Sequence, residues 1–179
     1  MADIMRSETV FKGRVFSVKR DHIVDKDRRF VVDVVVHRGA VVILPLIDSD
    51  VIAVKQFRYS VWDELIELPA GTLEEGEEPE KCAIRELEEE TGYVPGKIEY
   101  LGSFYASPGY CTEILYAFLA ENLRKGEMKL EPDEKIRVVK IPLNNFLKMI
   151  VNGDIKDSKT IATTFLYILK KSRFKKNFA

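Results

Sequence analysis

At 179 residues, 46% hydrophobic and 32% charged, the chain is long enough to bury one full core and too apolar to be disordered. Its 28 basic and 29 acidic side chains leave a net charge of −1, so no global field recruits nucleic acid, and the basic end from Lys170 to Lys176 reads as a solvated helix terminus. Cys82 and Cys111 are too few for a disulfide scaffold, and no apolar run approaches the roughly 20 residues that span a bilayer, so a reducing cytoplasm and no membrane partner are expected.

From Val10 to Val24 the residues half alternate between the turn-like Lys12-Gly13 and Asp25-Lys26-Asp27, which predicts a small antiparallel sheet at the N-terminus. Phe30 to His37 is a valine-rich strand. Ala40 to Leu46 and Val51 to Arg58 flank Asp48-Ser49-Asp50 as a hairpin whose second arm ends in Gln56-Phe57-Arg58-Tyr59. Glu64 to Leu68 is the next strand, leading to Gly71.

Pro79 suits the first turn of a helix and Gly92 the position just past its end, so a helix is expected from about Glu78 to Thr91. At helical spacing Ala83, Ile84, Leu87 and Thr91 form a packing face, and Glu86, Glu89 and Glu90 an adjoining acidic stripe. Glu86 and Glu90 are a like-charge pair four apart, and Glu88, Glu89 and Glu90 crowd the last turn, where the helix dipole is already negative. A cation belongs there, and a divalent ion such as Mg2+ takes carboxylate oxygens while also holding phosphates. A solvated acidic helix is the alternative, since nine glutamates stand between positions 74 and 90 against Lys81 and Arg85.

Beyond the helix, Ile98 to Tyr105 and Ile114 to Leu119 read as strands around the turn-rich Ala106-Ser107-Pro108-Gly109-Tyr110. Lys135 to Ile141 is a further strand, and Leu143 to Asn152 a short helix stopped by Gly153. Asp157 or Ser158 caps a last helix to about Lys171, with Ile161, Ala162, Phe165, Leu166 and Leu169 on its apolar face. Strands outnumber helices, and their order suits an α+β sandwich, a mixed β-sheet between α-helices, better than regular βαβ winding.

The order Gly71, Glu77, Arg85-Glu86-Leu87, Glu89-Glu90, Gly92-Tyr93 resembles the Nudix box, the signature of hydrolases that cleave a nucleoside diphosphate linked to another group. Every fixed position of its 23 residues is filled. The resemblance implies a Nudix fold in which Glu86, Glu89 and Glu90 hold catalytic divalent ions, Mg2+ or alternatively Mn2+, with the Ala70 carbonyl as a further ligand. It gives Glu77 and Arg85 bracing roles. The hydrolase domain is expected over residues 34–179, its core ending near Lys171, and residues 1–33 form an N-terminal β appendage.

Pro108 lies 16 residues past Gly92, a distance that resembles the ADP-ribose pyrophosphatase branch. So do Gln56-Phe57-Arg58-Tyr59, Glu67-Leu68-Pro69-Ala70-Gly71 and Gly153-Asp154-Ile155-Lys156-Asp157-Ser158-Lys159-Thr160. That branch implies hydrolysis of ADP-ribose to AMP and ribose 5-phosphate, and a homodimer joined by the N-terminal sheet. By position it implies Glu134 as general base, with a solvated loop acid as the alternative. Arg58 is the candidate phosphate contact or else a surface arginine, since a fork of donors suits a diphosphate. Arg28, Arg29 and Phe30 are candidates for the adenine and ribose, with Phe30 otherwise a core side chain. Pro108 and Gly109 shape the substrate loop, and Glu113 orients substrate. Other nucleotide sugars such as GDP-mannose, or a non-catalytic regulator that senses ADP-ribose, are the alternatives.

Overall fold

The computed structural model describes residues 3–130 and 135–173. In chain order the elements are β1 (Asp3–Lys12), β2 (Phe16–Asp25), β3 (Arg28–His37), β4 (Ala40–Ile47), β5 (Asp50–Arg58), β6 (Asp63–Glu67) and β7 (Ala70–Thr72). Then follow α1 (Pro79–Thr91), β8 (Tyr93–Val94), β9 (Lys97–Tyr105), β10 (Ile114–Glu121), β11 (Arg124–Lys125), β12 (Ile136–Pro142), α2 (Leu143–Asn152) and α3 (Ser158–Arg173).

The first three strands pair antiparallel as a separate sheet. β1 starts well before Val10 because its pairing with β2, rather than burial, holds it; nearly all its residues are exposed, so no alternation marks it in sequence. β3 runs unbroken through residues 33 and 34, so the N-terminal sheet extends to His37 and the chain enters the core at Arg38-Gly39.

The main sheet has the order β12-β5-β4-β10-β9, with β6 added to β5 and β7 to β4. Only β4 and β10 are parallel, which makes the sheet mixed. β4 and β5 pair at just Leu46 with Val51 and Ile47 with Asp50, around a turn that holds Asp48 at φ 55°, and then diverge. β6 and β7 line the two arms of that divergence, and β7 is too short, at Ala70–Thr72, to carry a periodic signal.

Sheet and helices form the expected sandwich. β4 is buried on both faces, which explains its unbroken apolar run. Val42, Leu44 and Leu46 pack with Phe146 of α2 and Tyr167 of α3, while Val41 and Ile43 pack with Cys82, Ala83 and Leu87 of α1. Leu87 is wholly enclosed and contributes about 2 kcal/mol by burial. Cys82 takes the buried place expected of Ile84, which is half-buried instead.

The last helix differs from its expected face. Phe165 and Leu169 are exposed, and Thr160, Thr163, Thr164 and Tyr167 are buried in their place. Thr160 accepts a hydrogen bond from the Leu68 amide at 2.8 Å, and Thr164 donates to the Thr160 carbonyl at 2.8 Å. The Thr160 and Thr164 hydroxyls are thus satisfied while buried, and with the helix start fixed against Leu68, Ile161 and Leu166 still pack on the core whereas Phe165 and Leu169 face out.

Candidate active site

The helix that carries the acidic stripe begins after Glu78 in extended conformation, with Pro79 at its first position, and ends on Gly92 at φ 69°. A glycine is favoured there because a side chain is strained in the left-handed region. No basic residue occupies its last turn. Backbone amides answer the terminal carbonyls instead: Lys129 donates to Glu89 at 3.0 Å and Gly126 to Gly92 at 2.8 Å.

Arg85 sets one positive charge beside the stripe. Its Nε and Nη2 grip the two oxygens of Glu77 at 2.9 Å each, and its Nη1 donates to Glu86 at 2.8 Å and Glu89 at 2.9 Å. The bond from Arg85 lowers the Glu77 carboxyl to about 2, well under its ordinary 4.5. Glu77 in turn accepts from the Glu74 amide at 2.9 Å, which ties the loop before the helix to the helix itself.

Gly71 is required by close approach. A methyl group there would lie 1.8 Å from the carboxyl carbon of Glu86, so the absence of a side chain makes the space that Glu86 fills. Glu90, only 4% exposed, accepts from the Ala70 amide at 3.1 Å. Strand β7 and two of the three glutamates are thus in contact, which sets the Ala70 backbone beside the acidic stripe. Three carboxylates and a carbonyl are hard oxygen donors that suit Mg2+. Among the described residues no three carboxylates meet at one point, since Arg85 draws Glu86 and Glu89 to itself.

A cleft of about 620 Å³ lies along this surface, a volume suited to a nucleotide sugar. Glu86, Glu89, Glu90, Ala70 and Arg58 all line it. Arg58 is held from behind by Glu67, with Nε and Nη2 each at 2.7 Å from a carboxylate oxygen.

Other expected residues lie elsewhere in the single chain. Arg28 opens β3 on the exposed N-terminal sheet, and Arg29 and Phe30 line a separate groove of about 330 Å³ with Met5, His22 and Val31. Pro108 and Gly109 are exposed and are not among the cleft's lining residues; their loop is docked on β3 through Val35 to Tyr110 at 2.8 Å and Thr112 to Val35 at 2.9 Å. Glu113 faces Nδ1 of His37 at 3.8 Å, and that nitrogen accepts the Gly39 amide at 3.0 Å. Glu134 lies outside the described residues.

The cleft also contains residues that sequence reasoning passed over: Arg14 and Val15 from the β1–β2 turn, Arg38 from the link to β4, Gln56 and Lys129. Lys12-Gly13 marked the turn, but no local pattern says that residue 14 borders the same cleft as residue 58. Gln56 offered the one available signal, since it stands two residues before Arg58 and therefore on the same face of β5.

An α/β/α sandwich whose mixed sheet and first helix set glutamates and an arginine around one cleft is the architecture of a hydrolase of the kind the family comparison identifies. The NUDIX domain model matches residues 36–162, and the chain belongs to the Nudix family. It is 40% identical over 157 residues to the ADP-ribose pyrophosphatase of Bacillus subtilis (strain 168), covering 86% of this chain and 85% of that one. It is 35% identical over 161 residues to the methanol dehydrogenase activator of Bacillus methanolicus, covering 88% and 87%. The GDP-mannose pyrophosphatase of Shigella flexneri is 38% identical over 122 residues, 63% of each chain. A crystal structure of an ADP compounds hydrolase shares the fold with a TM-score of 0.84 at 21% identity, covering 97% of this chain and 95% of that one.

Proposed function

We propose that this protein is a pyrophosphatase that hydrolyses ADP-ribose to AMP and ribose 5-phosphate with the help of a divalent ion. The observation that carries the reading is the single cleft in which Glu86, Glu89 and Glu90 on α1 share a boundary with Arg58 on β5. The 40% identity to an ADP-ribose pyrophosphatase over most of both chains supports the substrate class.

Glu86, Glu89, Glu90 and the Ala70 carbonyl would hold the ion, Mg2+ before Mn2+. When bound, such an ion neutralises the diphosphate against the acidic wall and makes water a better nucleophile. Water adds to one phosphorus, the bond from that phosphorus to the bridging oxygen breaks, and the bridging oxygen leaves on the other phosphate, so that the two products are AMP and ribose 5-phosphate. Arg58 meets the diphosphate oxygens with its remaining donors, and no side-chain nucleophile is required. Glu134 takes the proton from the attacking water.

Two copies of the chain would complete the substrate site. The N-terminal sheet exposes Ile4, Met5, Val10, Phe11, Phe30 and Val31, a surface that suits a homodimer interface. Across that interface Arg28, Arg29 and Phe30 would reach the nucleoside of the partner's substrate, with Pro108, Gly109 and Glu113 shaping its loop. Among the described residues no helix is long and apolar enough to cross a membrane.

The test is a Mg2+-dependent turnover panel of ADP-ribose, GDP-mannose, NADH, diadenosine polyphosphates and capped RNA, with sizing of the same preparation. ADP-ribose should give the highest kcat/KM, and the protein should elute as a dimer. A preference of about tenfold for another compound removes the substrate assignment and leaves the family intact. GDP-mannose is the informative competitor because of the relatives that cleave it. No turnover of any compound favours a regulator that senses ADP-ribose.

A further inference from the structure

The cleft wall opposite the acidic stripe is organised from inside the core. Glu67 is 1% exposed, yet it is a carboxylate in the middle of apolar packing beside Leu68. Burial pushes its carboxyl up, but Arg58 and Lys159 outweigh that, and the net shift is downward. Arg58 grips both of its oxygens, and Lys159 of α3 contacts Oε2 from the other side.

Lys159 is held in turn. It donates to Asp157 at 2.8 Å, and Asp157 caps the helix by accepting the Thr160 amide at 2.9 Å and the Thr160 hydroxyl at 2.6 Å. The Leu68 amide closes the circuit onto that same hydroxyl. Two cations and two carboxylates sum to zero, so the network satisfies a buried charge without leaving one uncompensated.

The shape of the Arg58 contact gives this network a use. A guanidinium has five N–H donors, and a side-on grip through Nε and Nη2 consumes two of them. Three remain on the far edge of a residue that lines the cleft. Glu90 across the cleft also attracts Arg58. Without Glu67 behind it, Arg58 would be drawn toward the acidic wall and its rotamers would multiply.

We propose that Glu67 is a positioning residue for substrate binding: it holds Arg58 with its free edge toward the diphosphate, and Lys159 is the second cation that keeps the buried carboxylate in place. This rests on the reading that Arg58 meets the diphosphate. It makes the first turn of α3, remote in sequence from the Nudix box, part of the binding apparatus.

The experiment compares Arg58→Gln, Glu67→Gln, Lys159→Met, Lys159→Arg and the double variant Arg58→Gln/Lys159→Met. It uses whichever nucleotide sugar the panel selects, with AMP affinity by calorimetry as a readout independent of turnover. Arg58→Gln and Glu67→Gln should raise KM about tenfold with kcat changed far less, and Lys159→Met should raise it severalfold. Lys159→Arg should restore KM, AMP binding should weaken in parallel, and Lys159→Met should add nothing once Arg58 is gone. If Glu67→Gln does not fold, the two Lys159 variants decide. Unchanged KM in Glu67→Gln and Lys159→Met beside a raised KM in Arg58→Gln overturns the positioning role and spares the Arg58 reading. A Lys159→Met effect that persists without Arg58, or an unrescued Lys159→Arg, also overturns it. Unchanged KM in Arg58→Gln removes the Arg58 reading itself.

Discussion

Two arginines border the cleft in the same way and face opposite tasks. Arg85 and Arg58 each present Nε and Nη2 side-on to one glutamate, Glu77 at 2.9 Å and Glu67 at 2.7 Å. The remaining edge of Arg85 is spent on Glu86 and Glu89 within its own helix. Among the described residues the Arg58 guanidinium donates to no group beyond Glu67, and its remaining edge belongs to a residue that lines the cleft. One clamp aims carboxylates and the other aims donors. The difference lies in what stands on the far side of an identical fork, which is a property of neighbours and not of arginine.

The largest effect should come from neutralising the acidic stripe, of which Arg85 holds Glu86 and the Ala70 amide holds Glu90. Glu86→Gln and Glu90→Gln are expected to lower kcat about a thousandfold or more while the fold is kept, since a neutral amide is a poor ligand for a divalent ion. Mg2+ should raise the melting temperature of the native protein and raise that of these variants far less. Near-normal turnover in both variants would remove the acidic stripe from the chemistry. Glu134→Gln should lower kcat with the Mg2+ response of the melting temperature intact.

A smaller loss should follow from displacing one aimed group without changing its charge. Gly71→Ala sets a methyl group into the Glu86 carboxyl and must push that side chain aside. Turnover is expected to fall about a hundredfold, since misplacing a reacting group by an ångström has that order of cost, with circular dichroism unchanged. Full activity in Gly71→Ala would mean that the position of Glu86 against β7 is immaterial.

The smallest effect should come from loosening the Arg85 clamp at its rear. Glu77→Gln is expected to cost about 2 kcal/mol at neutral pH through its charge-assisted bonds, with a severalfold loss of activity. The Glu77 carboxyl is depressed from 4.5 to about 2, so its contribution is complete above 4.5 and is lost as pH falls toward 2. Denaturation of the native protein and the variant should therefore converge across that window. A constant difference from pH 7 to pH 2 would show that Glu77 acts by shape and not by charge. Set against Glu67→Gln, which should act on KM, this variant tests whether the two clamps divide stability and binding between them.

The acidic clamp was legible because it is local. Arg85 to Glu89 is one helical turn, so spacing alone brings those two together, while the bracing of Arg85 by Glu77, in the loop before the helix, was implied by the family resemblance. Pro79 and Gly92 bounded the helix for the same reason, and β4 declared itself by an apolar run that both faces of the sheet bury. The cleft's other wall was legible only as a string of residues resembling a family branch. Gln56, Arg58, Glu67 and Lys159 are named in those strings, but nothing in them says that a strand end, a core carboxylate and a helix start share one network.

What the sequence by itself determined was the chemistry available: a stripe of glutamates at helical spacing, a glycine before it, and an arginine among them, all within 23 residues. Those contacts need only backbone geometry, which a short segment carries in its own residues. What only the tertiary structure decided was how the second wall is built. Arg14, Arg38 and Arg58 line one cleft, Glu67 is buried between two cations, and α3 turns its threonines inward with Phe165 outside. Those outcomes depend on which strands diverge and which helix docks between them. Burying a charge is tolerable only where distant partners arrive together, so no single stretch of the chain could announce it.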